Sequence, residues 1–169
     1  MDTDPVVGKI AVTDQNTLFE GPLGAIEVLP AGASGGQFSV VRHPLAPRTL
    51  GSPLHTHHDE DEYSIVTVGA IGVQVGEATS LAQVGDVVCK PRGIRHAFWN
   101  PTDEPAELLE IITPSGFVEY FRELGQILAA TGSLPDLGEM SALAERYRLD
   151  VDFSSVEALA REHGLRVGP

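Results

Sequence analysis

Three histidines and a glutamate, drawn from two short stretches, carry the clearest chemical potential in this chain: His55, His57 and Glu62 in HTHHDEDE, and His96 in PRGIRHAFWN. Imidazole nitrogens with one carboxylate oxygen suit a divalent first-row metal such as iron, nickel, cobalt, manganese or zinc. Ca²⁺ prefers an all-oxygen shell, and the lack of a second cysteine rules out thiolate chemistry. In an extended segment, residues two apart share one face about 6–7 Å apart, so His55 and His57 project together and His58 points away. Glu62 follows the connector His58-Asp59-Glu60-Asp61 and stands where the chain re-enters a strand, which ranks it above Asp59, Glu60 and Asp61. Four protein ligands leave one or two positions open on a five- or six-coordinate ion, whereas they would close a tetrahedral zinc. The imidazoles must be neutral to ligate, so metal loss is expected below about pH 6.

The segments that would position these residues read as short strands. YSIVTVGAIGVQVG is two strand-length runs about a turn at Gly69, and Ile71, Val73 and Val75 alternate with Gly72 and Gln74 as in a sheet with one buried face. VVCK, IRHAFW and PAELLEIITP follow, separated by turn signals at Gly85-Asp86, Pro91-Arg92-Gly93 and Asn100-Pro101, and AIEVLP and QFSVVRHP precede. The Pro-rich HPLAPRTLGSP reads as an irregular connector, and AGASGGQ as a loop. Such a series predicts an antiparallel sandwich or small barrel of the all-β jelly-roll class. By parity Phe98 shares the face of His96 and is a candidate wall of a substrate pocket, while Trp99 packs outside the barrel.

After Pro114 the texture becomes helical. Phe117, Phe121, Leu124, Ile127 and Leu128 recur at helical spacing up to Gly132, and MSALAERYRL and SVEALAREHGL are two further amphipathic segments. Ser154 or Ser155 is the expected cap of the last, with Gly164 its terminator. The domain reading is a barrel with N-terminal strands over residues 1–114 and a C-terminal α-helical extension over residues 115–169. That extension is expected to pack on the barrel or on a second subunit, or to cover the pocket mouth.

The two metal-bearing stretches resemble the paired motifs of the cupin superfamily. His55, His57, Glu62 and Gly69 fit the first motif, and Gly85, Pro91, Gly93, His96 and Asn100 fit every place of the second. The leading glycine of the first motif falls at Thr49, with Gly51 two residues late. The run from the barrel through EIITPSGFVEYFREL into helices is similar to small single-barrel cupins of the quercetin-dioxygenase-like group. The resemblance implies a jelly-roll barrel with one divalent metal on His55, His57, Glu62 and His96. It also implies an oxidoreductase that uses O₂ on a flavonol-like, enol or phenolic small molecule, with Glu62 as ligand and base. The alternatives are a metal-dependent cyclase or isomerase of a polyketide-like or carbonyl substrate, and a non-enzymatic small-molecule-binding cupin.

Composition bounds the rest. The 169 residues suit one domain with an appendage, and a net charge of −13 with 11 Lys and Arg argues against nucleic acid or an anionic membrane as partner. No apolar run reaches the roughly 18 residues of a membrane span, and MDTDPVVGKI lacks the pattern of a secretory leader. The lone Cys89 cannot form an internal disulfide, which suits a cytoplasmic location. A homodimer is the expected assembly. Outside the four candidate ligands, His43 and His163 read as surface residues, Cys89 as a small core filler, and Asp59-Glu60-Asp61 as a solvated turn.

Overall fold

The computed structural model describes residues 15–133 and 136–166; the first ten residues, read above for a leader, lie outside that range. The barrel strands are β1 (Asn16–Phe19), β2 (Ala25–Leu29), β3 (Ser39–Leu45), β4 (Leu54–His57), β5 (Asp61–Val68), β6 (Ala70–Val75), β7 (Ala78–Gln83), β8 (Val87–Lys90), β9 (His96–Trp99) and β10 (Ala106–Thr113). They are followed by α1 (Val118–Thr131), α2 (Leu137–Arg146), β11 (Leu149–Asp152) and α3 (Ser155–His163). Among the described residues one sheet runs β1-β2-β3-β10-β5-β8 and the other β11-β4-β9-β6-β7, all neighbours antiparallel. This is the expected jelly roll with a helical C-terminal part.

Period-2 patterning explains which side chains face inward. β3 buries Ser39, Val41, His43 and Leu45 and leaves the residues between them half-buried, and β10 buries Ala106, Leu108, Glu110 and Ile112 in the same alternation. One end of the interior is apolar, with Leu45, Val66, Ile71, Phe98 and Leu108 in contact. Glu62, Ser64, Lys90 and Glu110 are buried polar residues, although their strands read as largely apolar runs.

Outside the second sheet, Trp99 is buried against Leu54, Ala97 and Leu159 of α3, as its parity requires. Gly72, its cross-strand neighbour, leaves room for the indole, because a Cβ there would lie 2.1 Å from Trp99 Nε1. His163 stacks on that indole, with centroids 4.0 Å apart and planes at 16°. Its side chain is only 19 % exposed, so it is a packing residue of α3 rather than the surface residue expected.

The extension departs from an all-helical reading at one place. α2 opens with a capping box of Asp136 and Glu139, ends at Arg146, and is followed by Arg148 at φ +51°. The chain then forms β11, which pairs with β4 so that Leu149 lies opposite His57 and Val151 opposite His55. The alternation Leu-Asp-Val-Asp is the strand signal, masked by the helical run before it. Ser154 leads into α3 without a side-chain cap bond. Ser155 Oγ instead accepts the Leu54 amide hydrogen at 2.9 Å, fastening α3 to β4, and Gly164 ends α3 in the left-handed region. Among the described residues no helix is long and apolar enough to cross a membrane.

Candidate metal centre

β4, β5 and β9 bring His55, His57, Glu62 and His96 together, with one ligand atom from each lying within 4.8 Å of every other. Ligands bonded at about 2.1 Å around one ion stand roughly 3–4 Å apart, so this cluster has the size of a single coordination shell. The register explains the meeting, since His55 is the direct cross-strand partner of His96 and their rings lie 4.3 Å apart. All four side chains are buried. His58 is exposed and pairs with Asp150 through Nε2 at 2.8 Å, as its parity predicted.

Backbone carbonyls set the tautomers. His55 Nδ1 donates to Pro53 O and His96 Nδ1 to Ile94 O, each at 2.9 Å and each to the carbonyl two residues earlier. A carbonyl can only accept, so Nδ1 carries the proton and Nε2 is left as a bare lone pair in the neutral ring. Burial lowers the pKa of both rings, that of His55 to well below its usual value with help from the other two imidazoles. His96 Nε2 nevertheless faces Glu62 Oε2 at 3.2 Å, and His57 Nε2 faces Glu62 Oε1 at 3.3 Å without hydrogen-bond geometry. Among the described residues neither ring nitrogen of the buried His57 has a hydrogen-bond partner, although Nδ1 lies 3.5 Å from Glu60 Oε2. Convergent lone pairs and an unsatisfied buried imidazole are what a cation would resolve, and the donor set fits a divalent transition metal.

Two residues that escaped the sequence reading complete the charge balance. Lys90 Nζ lies 2.9 Å from Glu62 Oε2 and 2.6 Å from Glu110 Oε2, and Ser64 Oγ donates to both Glu110 oxygens. Burial raises the Glu62 carboxyl, but the Lys90 ammonium and the neighbouring imidazoles outweigh it and hold Glu62 well below the usual carboxylate range. Glu110 is pushed up to about 7, chiefly by burial. The available signals were a lysine at an inward position of VVCK and a glutamate inside LLEII.

The site opens into a cavity of about 660 Å³ whose lining is mainly apolar and aromatic, including Phe19, Phe98, Phe117, Tyr120, Phe121 and Leu124. His55, His57, Glu62 and Glu110 contribute to its wall. Phe98 therefore lies on the pocket as its parity suggested, and α1 supplies one side, so the extension covers the cavity. Phe117 meets the His57 ring edge-on at 4.3 Å. A second, more open depression of similar size lies between α2 and β11 around His58, Glu145 and Arg148 and contains none of the four cluster residues.

Three further expectations are corrected. His43 is not at the surface: it is 2 % exposed and on the cavity wall, because it lies on the inward face of β3 with Val41 and Leu45. Cys89 is exposed, since Val88 and Lys90 take the inward positions of β8. The acidic turn is pinned rather than freely solvated. Asp59 pairs with Arg148 at 2.7 Å, Asp61 pairs with Arg92 at 2.9 Å, and Glu60 is buried beside His57.

Residues 41–112 match the cupin domain family. The two antiparallel sheets form a jelly roll of the cupin fold. A Cupin 2 conserved barrel domain protein from Salinispora arenicola superimposes with a TM-score of 0.50 at 26% identity, covering 64% of this chain and 89% of that one. A predicted oxalate decarboxylase from Thermotoga maritima shares the fold, with a TM-score of 0.53 at 20% identity over 62% of this chain and 94% of that one. In sequence, 50 residues (29% of the chain) are 42% identical to an oxidoreductase of Pestalotiopsis fici. The match spans 24% of that relative's length.

Proposed function

We propose that the protein is a metal-dependent cupin oxidoreductase that oxygenates a hydroxylated aromatic or enolic small molecule. The observation that carries this reading is the convergence of three imidazole nitrogens and the Glu62 carboxylate at the wall of an aromatic-lined cavity. Partial identity with a curated oxidoreductase supports the redox class. His55, His57, Glu62 and His96 would hold one divalent ion, which when bound would supply an open position for an oxygen-bearing substrate and for O₂. The chain's own contributions follow from the geometry. The Pro53 and Ile94 carbonyls orient the His55 and His96 rings, and Lys90 fixes Glu62. Phe98, Phe117 and α1 exclude water from the reacting end of the substrate.

Elemental analysis of the purified protein, followed by O₂-uptake assays with flavonols and catechols, tests the reading. Stoichiometric metal with substrate-dependent O₂ consumption is expected. Turnover of an enol or carbonyl substrate without O₂ uptake would instead support a cyclase or isomerase, which the buried Glu62–Lys90–Glu110 chain would serve as a relay for protons.

A further inference from the structure

His43 is not one of the four cluster residues, yet it is a buried histidine with an open nitrogen. Its Nδ1 donates to Gly24 O at 2.8 Å, and since that carbonyl can only accept, the proton is on Nδ1 and the Nε2 lone pair is free. Among the described residues no group hydrogen-bonds Nε2, and Nε2 is not one of the fully enclosed unpartnered atoms. The residual exposure of this 2 % exposed side chain is therefore cavity exposure. The ring is held between two aromatic side chains of the same wall, edge-on to Phe121 at 5.2 Å and tilted against Phe98 at 6.1 Å.

We propose that His43 Nε2 is the substrate-orienting acceptor of the cavity, taking a hydrogen bond from a hydroxyl of a flat aromatic ligand whose rings lie among Phe98, Phe117 and Phe121. The inference deepens the reading of the cavity as a substrate chamber and rests on it. Burial keeps the pKa of His43 down at about 4, so the ring is neutral and an acceptor at physiological pH. A neutral acceptor selects a donor such as a phenol or enol hydroxyl. An ether offers no hydrogen to share, and a carboxylate would meet the lone pair with its own. His55, His57 and Glu62 of the cluster line the same cavity as His43, so one ligand can be held by a hydroxyl at His43 and present another oxygen to the cluster.

The test is affinity for 2-naphthol, 2-methoxynaphthalene and naphthalene, measured by calorimetry on the protein as purified, with metal content determined in parallel. The expected result is that 2-naphthol binds roughly tenfold more tightly than the other two. In His43→Phe the preference for 2-naphthol over naphthalene should disappear while metal content holds. Equal affinity for the three probes in the wild-type protein, or a preference that survives His43→Phe, overturns the proposal. Should that variant not fold, the ¹⁵N resonance of His43 Nε2 in the wild-type protein decides. It must move towards the hydrogen-bonded range with 2-naphthol alone, and an unmoved resonance overturns the assignment. Failure of the oxidoreductase reading looks different: no metal on the four-residue cluster, with the naphthol preference intact.

Discussion

Lys90 and Glu62 are direct partners across the β5–β8 ladder, and their side chains meet inside the barrel at 2.9 Å, with Glu110 2.6 Å from the same ammonium. The pairing leaves Glu62 Oε1 toward His57 while Oε2 is anchored. Lys90→Met would strand two buried carboxylates and is expected to destabilise the fold by about 3–5 kcal/mol. Adding Glu110→Gln should restore more than half of the loss. A urea-denaturation double-mutant cycle measures both, and strictly additive effects would contradict the coupling.

Glu62→Gln keeps the shape of the side chain and removes its charge. Metal affinity is expected to fall by more than about tenfold, since an amide oxygen is a weaker ligand and Lys90 loses one of its two partners. Competition with a chromogenic chelator reads the change. Full activity at full metal occupancy would remove Glu62 from any role as a base.

Acid should act on stability through His43. Its folded-state pKa of about 4 lies below the unfolded value near 6.5, so the unfolded chain binds the proton first. The stabilisation is complete above pH 6.5 and is lost progressively as pH falls toward 4. Between pH 7 and pH 5 the wild-type protein should lose about 2 kcal/mol that His43→Phe does not lose. Paired urea titrations at the two pH values check this, and parallel losses would count against a neutral buried ring.

Metal release should also begin at lower pH than free imidazole would give, because burial lowers the pKa of His55 and His96. Metal content after dialysis across pH 7.5 to 4.5 should stay flat through the first unit. A loss centred at pH 6.5 would show rings that are solvated instead.

Gly51, two residues beyond Thr49, packs against the pocket wall. A Cβ at position 51 would lie 2.3 Å from Phe98 Cε2, so this glycine is needed for the close approach of the connector to the pocket wall. Gly51→Ala should cost about 1–3 kcal/mol by overpacking and shift Phe98. Thermal denaturation measures the first effect and probe affinity the second.

The four cluster residues were legible in the sequence because parity pairs His55 with His57 and excludes His58, position favours Glu62, and the resemblance to the second cupin motif singles out His96. Parity also placed Phe98 inward and Trp99 outward. The same rule, applied to QFSVVRHP, would have put His43 beside Val41; the following proline made it read as a strand end instead. VVCK resisted because an apolar run does not say which face is inward, and so Cys89 reads as a core residue although Lys90 takes the buried position. β7 (ATSLAQ) is mostly exposed and carries no apolar alternation to read. The pairing of Glu62 with Lys90 and Glu110 depends on the register of three strands, which no local pattern encodes.

The edge of β4 is closed by β11, a strand 92 residues further along the chain. The backbone edge behind two of the four cluster residues is thus sealed by a segment of the extension, so a change that frees β11 would leave His55 and His57 on an open strand edge.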